Sequence, residues 1–367
     1  KKLLGRPLFS WVLTEALLSN LDLVYVFTDD VEIISYINTH YKWSKKIKCI
    51  ERSPENAEDT SSTEAAMLEF CETVKQDFDI FCLLQATSPL TKRKDINNAL
   101  DQLREHNYDS LLSVVNTHRF VWTKDGKAIN YDYTNRPRRQ DFDGLRIENG
   151  ALYCTYKKAL LSSKNRLSGT IGLYEMAEDT LAEIDSLTDW QIIEQLLISN
   201  FKNNKSAKRI KHLVLDVDGV FTDGKVTFDK EGEFSKIFDM RDGMGLEILR
   251  EQGVGLIVMT SENSNVVKQR MKKLNITDVY LGVKDKYSLL EYLCAEQKIS
   301  PAEIAYIGDD VNDLSNMLKV GWSFCPANGT KQIKYHADMV LKKNSAEGAI
   351  REAAEFIINY NLRFNDV

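Results

Sequence analysis

Short apolar runs alternate with stretches of helical spacing along the whole chain, and nearly every run ends in hydroxyl, amide or carboxylate side chains. In the first half, residues 9–18 carry apolar positions at helical spacing, and residues 23–27 form an apolar run that stops at Thr28-Asp29-Asp30. Residues 62–74 predict a second helix. Residues 80–84 predict a strand ending in Gln85-Ala86-Thr87-Ser88-Pro89, and residues 111–115 and 151–156 predict two more. In the second half, residues 210–215, 255–259 and 304–307 are the near-continuous apolar runs that buried parallel strands require. A helical pattern opens at Lys286, and residues 225–238 alternate around Lys230-Glu231-Gly232, a hairpin signal. Helices interleaved with buried strands predict an α/β fold of two Rossmann-like three-layer domains.

A polar, basic stretch at residues 201–207 separates the helical pattern of 190–197 from the run at 210. It divides the chain into expected domains of residues 1–202 and 207–367. The length of 367 residues suits two or three domains. Charged residues make up 28% and no apolar stretch approaches a membrane span, so a soluble, cytoplasmic protein without a membrane partner is expected. The formal net charge of −6 argues against nucleic acid as an obligate partner. Cys49, Cys71, Cys82, Cys154, Cys294 and Cys325 lack metal-site spacing and read as free thiols. The sequence opens on Lys1, so the natural start is expected to lie further upstream.

The sharpest chemistry is at residues 216–224, Asp-Val-Asp-Gly-Val-Phe-Thr-Asp-Gly. Side chains alternate along a strand, so Asp216 and Asp218 leave its end from one side. One carboxylate is then placed to attack phosphorus while the other handles the leaving-group proton. A strand followed by an acidic turn has the same local pattern. Three further features narrow the choice. The run 255–259 ends in Thr260, Lys286 opens its helix, and the run 304–307 leads into Gly308-Asp309-Asp310-Val311-Asn312-Asp313. Singly, Thr260 reads equally as a strand-end cap and Lys286 as a solvated lysine. As an ordered set they supply the nucleophile, hydroxyl, ammonium and acidic cluster that transfer through an aspartyl phosphate needs. Crowded oxygen ligands at one strand end suit Mg²⁺.

From about Lys208 onward the chain resembles the haloacid-dehalogenase-superfamily phosphatases, specifically the capless group acting on 3-deoxy-octulosonate or nonulosonate phosphates. The resemblance implies that Asp216 is the nucleophile and Asp218 the general acid/base, which also lends its backbone carbonyl to Mg²⁺. It makes Asp309 the metal carboxylate, Asp310 and Asp313 its supporting shell, and Thr260 and Lys286 the phosphate-stabilising pair. Arg241, in Met240-Arg241-Asp242-Gly243, matches a segment near the substrate, and the hairpin matches one used for tetramer assembly. Octulosonate phosphatases usually carry Gly-Arg where this chain has Ser261-Glu262. Glu262 and Lys273 lie eleven positions apart, and three helical turns would put them on one face. They resemble a pair in the nonulosonate 9-phosphate phosphatases, and equally an ordinary surface Glu and Lys.

In the first half, Arg136-Pro137-Arg138-Arg139-Gln140-Asp141 concentrates three guanidinium groups on a stiffened segment, which suits an anion site or a solvated basic loop. Glu148-Asn149-Gly150 offers an amide beside a close backbone approach, and Glu183-Ile184-Asp185 repeats the i, i+2 carboxylates. Either a metal pair or an acidic turn fits the latter.

Together with Leu-Leu-Gly-Arg-Pro-Leu from Leu3, Thr28-Asp29-Asp30 and Gln85-Ala86-Thr87-Ser88-Pro89-Leu90, these segments resemble the acylneuraminate cytidylyltransferases over roughly residues 1–200. The resemblance implies CTP and a nonulosonic acid as substrates. Arg52 and the segment Asp59 to Thr63 match nucleotide-contacting positions, and Gln85 a sugar-contacting glutamine. Arg136, Arg138, Arg139, Gln140 and Asn149 match the acceptor side, and Glu183 and Asp185 the metal-binding pair, Glu183 replacing the usual Asp. The family opens with a strand and a phosphate-cradling loop, and nothing like them precedes Leu3, so as written the chain is expected not to bind a triphosphate normally.

The expected function is therefore bifunctional: CMP activation of a nonulosonic acid, and Mg²⁺-dependent hydrolysis of its 9-phosphate by a homotetramer held through the second domain. One rival pairs CMP-Kdo synthesis with 3-deoxy-octulosonate 8-phosphate hydrolysis, and another makes the second domain only an oligomerisation module. The intact Asp216, Asp218, Lys286 and Asp309 set disfavours the latter.

Overall fold

The computed structural model describes residues 1–58, 60–230 and 232–364. Asp59, from the nucleotide-contacting segment, and Glu231, from the hairpin turn, lie outside them. The chain forms two compact units, Leu8–Leu196 and Lys1–Pro7 with Leu197–Val367. Two short antiparallel strands open it, β1 (Lys2–Leu3) and β2 (Arg6–Pro7), and they pack with the second unit. There the Leu4 carbonyl accepts a 2.8 Å hydrogen bond from the Ser315 hydroxyl.

The first unit follows the expected alternation. It runs α1 (Phe9–Leu17), β3 (Val24–Thr28), α2 (Val31–His40), β4 (Ile47–Glu51), α3 (Thr63–Thr73), β5 (Ile80–Leu84), α4 (Arg93–Glu105), β6 (Ser110–Thr117), β7 (Leu145–Tyr156), α5 (Lys157–Ser163) and β8 (Ile171–Met176). Its strands fall into a parallel pair, β3 with β4, and a mixed sheet in the order β5-β7-β6-β8. Within the latter β7 runs antiparallel to both neighbours. Strand β7 starts six residues before the apolar run that predicted it, because Leu145 to Glu148 alternate apolar and polar side chains and are largely exposed.

The pairing of β6 with β7 is broken by a bulge. Leu112 faces Tyr153 and Val114 faces Glu148, so residues 149–152 of β7 stand against Ser113 alone. The Ser113 hydroxyl fills the break. It donates to Asn149 Oδ1 at 2.6 Å and accepts from the Leu152 N–H at 2.9 Å. Backbone groups that a regular ladder would pair are satisfied here by a side chain, as buried polar groups require.

Helix α6 (Leu187–Asn204) contains the unit boundary, so most of the stretch read as a linker is helical. The asparagines that suggested a loop bond back along the helix, with Asn204 Nδ2 donating to the Asn200 carbonyl at 2.8 Å. Just beyond, Lys205 is pinned by Asp338 and by the Met317 carbonyl.

The second unit continues with β9 (His212–Leu215), the hairpin β10 (Thr227–Asp229) and β11 (Gly232–Ser235), α7 (Met240–Glu251), β12 (Gly255–Met259), α8 (Asn265–Lys273), β13 (Asp278–Tyr280) and α9 (Lys286–Glu296). After these come β14 (Ile304–Ile307), α10 (Leu314–Lys319), β15 (Trp322–Cys325), α11 (Lys331–His336), β16 (Met339–Val340) and α12 (Ala349–Leu362). Its sheet is parallel throughout, in the order β13-β12-β9-β14-β15-β16. Leu213, Val214 and Leu215 are fully buried, as a strand covered on both faces demands. Each such aliphatic side chain contributes about 1.5–3 kcal/mol. Helix α12 buries one stripe, Ala349, Ile350, Ala353, Ala354 and Ile357, against this core. The chain winds outward from β9 through β12 to β13, then crosses back to β14 on the other side of β9. That reversal opens a crevice at the carboxyl end of β9, where such sheets bind ligands.

Candidate active site

The sheet register assembles the aspartate site. Leu215 pairs with Val258 on one side and Ile307 on the other, so the segments leaving β9, β12 and β14 emerge side by side. They carry Asp216, Thr260 and Asp309. From α9, Lys286 reaches in with a fully buried ammonium, 2.8 Å from Asp216 Oδ1 and 2.7 Å from Asp313 Oδ1. The Tyr306 hydroxyl donates to the same Asp313 oxygen at 2.7 Å, and the Asp309 N–H to Asp313 Oδ2 at 3.2 Å. Asp313, expected in the supporting shell, has both oxygens committed and orders its neighbours.

Oxygens of Asp216, Asp309 and Asp313 lie within 4.8 Å of one another. Asp309 Oδ1 is buried and has no hydrogen-bond partner among the described residues. Gly219, at φ +83°, leaves the space Asp309 occupies, since a Cβ there would stand 2.0 Å from Asp309 Oδ2. An orphaned carboxylate oxygen within an oxygen-rich group fits a hard divalent cation such as Mg²⁺. Asp310 is exposed and outside this group. The side chain of Asp218 is also outside it, turned toward Lys236 and Thr222.

Burial and mutual repulsion shape the charges. Burial, with Asp313 nearby, pushes Asp216 up to about 7 despite the opposing pull of Lys286. Burial, with Asp313 and Asp216, pushes Asp309 up to about 8. Burial alone would lower Lys286, but its two carboxylate partners outweigh it and hold the ammonium charged, at about 12. The cluster thus holds more negative charge than its single ammonium balances, which is the environment a cation relieves. Thr260 is buried, and its Oγ1 accepts from the Glu262 N–H at 3.3 Å, leaving its proton free to donate.

Glu262 and Lys273 do not share a helix face. Helix α8 begins at Asn265, capped by Ser264 through the Val267 N–H at 3.2 Å, so Glu262 belongs to the turn before it. Helical counting therefore does not extend to Glu262, and both side chains are exposed. Arg241 lies on the surface, bound to Asp239 and the Glu347 carbonyl.

In the first unit, the end of β5, the middle of β7 and the segment before α6 converge. The Gln85 N–H donates to the Ala151 carbonyl at 3.3 Å, and the Ile184 N–H to the Thr87 carbonyl at 3.0 Å. The Glu183 carboxylate lies over Gly150, where a Cβ would stand 1.8 Å from Oε1. Burial, then Asp185 and Glu148, raise the Glu183 carboxyl. Asp185 is exposed beside it. Asn149 is buried and its amide is used internally, accepting from Ser113 and donating to Thr180 Oγ1 at 3.0 Å.

Sequence reasoning missed the Glu148–Tyr153 hydrogen bond and the neighbouring Glu64–Arg166 pair, with Arg166 5.0 Å from the Tyr153 ring centroid. Thr63 opens α3 beside Glu64, capped by Ser62. Arg52 pairs with Asp29 at 3.2 Å. Arg136 lies over the Phe120 ring at 4.6 Å, while Arg138, Arg139 and Gln140 are exposed, and no arginine of this loop forms an ion pair among the described residues. These arginines are available to an anion.

Comparison with known proteins agrees with both halves. The cytidylyltransferase family model matches residues 1–218, and that of haloacid dehalogenase-like hydrolases matches residues 148–353. The chain is 30% identical over 368 residues to N-acylneuraminate cytidylyltransferase A of Danio rerio, covering 98% of this chain and 84% of that protein. It is 33% identical over 151 residues to the 3-deoxy-D-manno-octulosonate 8-phosphate phosphatase of Haemophilus influenzae, covering 41% of this chain and 84% of that protein. The Moraxella catarrhalis enzyme of the same name, solved with magnesium, phosphate and KDO, aligns with a TM-score of 0.41 at 31% identity, over 47% of this chain and 95% of that one. The fold and site thus define a cytidylyltransferase joined to a haloacid-dehalogenase-type phosphatase domain. Within that class, the chain belongs to the N-acylneuraminate cytidylyltransferase family.

Proposed function

We propose that the protein catalyses two successive reactions on one nonulosonic (sialic) acid. The second unit removes the 9-phosphate, and the first activates the free sugar with CTP, forming the CMP-sugar and releasing pyrophosphate. The observation that carries the phosphatase half is the buried contact of Lys286 with both Asp216 and Asp313, beside the orphaned oxygen of Asp309. A scaffold would gain nothing from an ammonium and three carboxylates held out of water, where charge burial is costly.

In this reading Asp216 attacks phosphorus and forms an aspartyl phosphate, while Asp218 protonates the leaving alcohol and then takes a proton from the attacking water. Lys286 and Thr260 hold the phosphoryl oxygens. Mg²⁺, bound by Asp216, Asp309 and the Asp218 backbone carbonyl, would neutralise charge on the transferring group. In the first unit, Gln85 and Asn149 belong to the sugar side, the 136–139 arginines with Gln140 bind anionic groups, Arg52 and Thr63 face the nucleotide, and Glu183 with Asp185 would hold a second Mg²⁺. Arg241, Glu262 and Lys273 are assigned to the sugar-acid phosphate. The exposed Phe228, Phe234 and Ile237 on and beside the β10–β11 hairpin support assembly of a homotetramer through the second unit.

The test is Asp216→Asn in a full-length chain, with phosphate release from N-acetylneuraminate 9-phosphate and CTP consumption followed on one preparation. Phosphate release should vanish and CMP-sugar synthesis should persist. Hydrolysis at the wild-type rate would refute the aspartyl-phosphate mechanism.

A further inference from the structure

Resting on this phosphatase reading, we infer that Lys236 is a positioning residue that grips one oxygen of Asp218 and leaves the other to carry the proton. Lys236 follows β11, and its side chain is fully buried. Lysine is almost never buried without carboxylate partners, and two face this one. The ammonium bonds Asp218 Oδ1, and Glu233 Oε2 stands 3.6 Å away.

The arrangement is braced from behind. Glu233 Oε1 accepts from the Ser264 hydroxyl, and Ser264 caps α8. Lys236 is therefore held by a contact that runs into a helix of the catalytic unit. On the other side, the Thr222 hydroxyl lies 3.3 Å from the same Asp218 oxygen. Both contacts converge on Oδ1. Asp218 Oδ2 has no hydrogen-bond partner among the described residues, and the side chain keeps 26% of its exposure. A carboxylate tethered at one oxygen keeps the other unengaged and open to a leaving group.

The chemistry then divides between the two atoms. As Asp216 forms its bond to phosphorus, the phosphorus–alkoxy bond breaks and the alcohol oxygen takes the proton from Asp218 Oδ2. In the second step water attacks phosphorus, its proton returns to Oδ2, and the Asp216 carboxylate departs. Lys236 exchanges no proton and touches no substrate atom. Its contribution is orientation, which general acid catalysis depends on.

The test compares leaving groups. An alkyl phosphate, N-acetylneuraminate 9-phosphate, needs a proton delivered to its leaving oxygen, whereas 4-nitrophenyl phosphate does not. In Lys236→Met, turnover of the alkyl ester should fall about 100-fold or more, because a correctly placed general acid is worth about 10²–10⁴. The first turnover of the aryl ester should stay within about threefold of wild type, because its leaving group needs no general acid. It should appear as a burst of one 4-nitrophenolate per site, followed by slow release while the aspartyl phosphate awaits hydrolysis. The alkyl-to-aryl rate ratio should descend from wild type through Lys236→Arg to Lys236→Gln, and that order carries the test should the Met variant fail to fold. Equal losses on both substrates, burst included, or no loss on either, would overturn the assignment. A wild-type protein inert toward both esters would instead remove the phosphatase reading, and this assignment with it.

Discussion

Arg6 and Asp285, 279 positions apart in sequence, form a buried bidentate ion pair, with Nε 2.8 Å from Oδ1 and Nη2 3.0 Å from Oδ2. The guanidinium also lies 4.3 Å from the centre of the Tyr287 ring and bonds the Ser288 hydroxyl at 2.9 Å. Asp285 caps the helix that begins with Lys286. The first strand pair is thereby fastened to the turn that presents the Lys286 ammonium to Asp216 and Asp313.

Arg6→Met takes the guanidinium from a buried carboxylate and should destabilise the second unit by about 3–5 kcal/mol. Adding Asp285→Asn, which keeps the capping oxygen without the charge, should recover a substantial part. Urea unfolding of the three proteins checks both statements, and an unmoved midpoint in Arg6→Met would count against them.

The metal-free site should respond to pH in a defined direction. Folded values of about 7 for Asp216 and about 8 for Asp309 exceed the ordinary 3.8, so ionising them costs the fold stability. That cost is absent below pH about 4 and complete above about 8. Mg²⁺ binds the ionised form, so protons compete with it and its affinity should rise between pH 6 and 8. Thermal midpoints with and without Mg²⁺ should separate more at pH 8 than at pH 6, and Asp309→Asn should abolish the separation.

Gly219→Ala should disturb Asp309, the proposed metal carboxylate, without removing it. The added methyl would meet Asp309 Oδ2 at 2.0 Å, and the backbone at φ +83° is strained for alanine. A stability loss of about 1–2 kcal/mol is expected, with Mg²⁺ affinity at least about tenfold weaker because Asp309 must move. Calorimetric titration with MgCl₂ measures the second quantity, and wild-type affinity would show that Asp309 does not bind the ion.

Assembly makes a separate prediction. Phe234→Asp, at a side chain 64% exposed on β11, should leave the fold intact and shift sedimentation from the proposed tetramer to smaller species. An unchanged sedimentation profile would move the interface away from the hairpin.

The alternation of apolar runs made the α/β fold readable because buried parallel strands have few other ways to be written. Asp216, Thr260, Lys286 and Asp309 were readable for a related reason, since each sits at a strand end or helix start that the pattern marks. Lys236 was not. It looks like one more polar residue of a hairpin, and its partner lies eighteen positions upstream. Tyr306 was hidden inside an apolar run, where its hydroxyl on Asp313 leaves no periodic trace. The helix face expected to join Glu262 and Lys273 does not exist, because turns were counted through Ser264, where the helix starts. Asn149 matched an acceptor-side residue, yet its amide hydrogen bonds run to Ser113 and Thr180.

The bulge at Ser113 changes the parity of β7. On a regular strand, residues five apart point to opposite faces and are separated by roughly 16 Å. Glu148 and Tyr153 are five apart, and yet their side chains meet. Folding four residues against one partner removes that length and turns the strand, so an odd interval behaves as an even one. The segment Glu148-Asn149-Gly150-Ala151-Leu152-Tyr153 thus works as a counting device. Inserting or deleting one residue inside it would do more than lengthen a loop. It would send Glu148 and Tyr153 to opposite sides of the sheet, take the carboxylate away from Glu183 and draw Tyr153 out of the core.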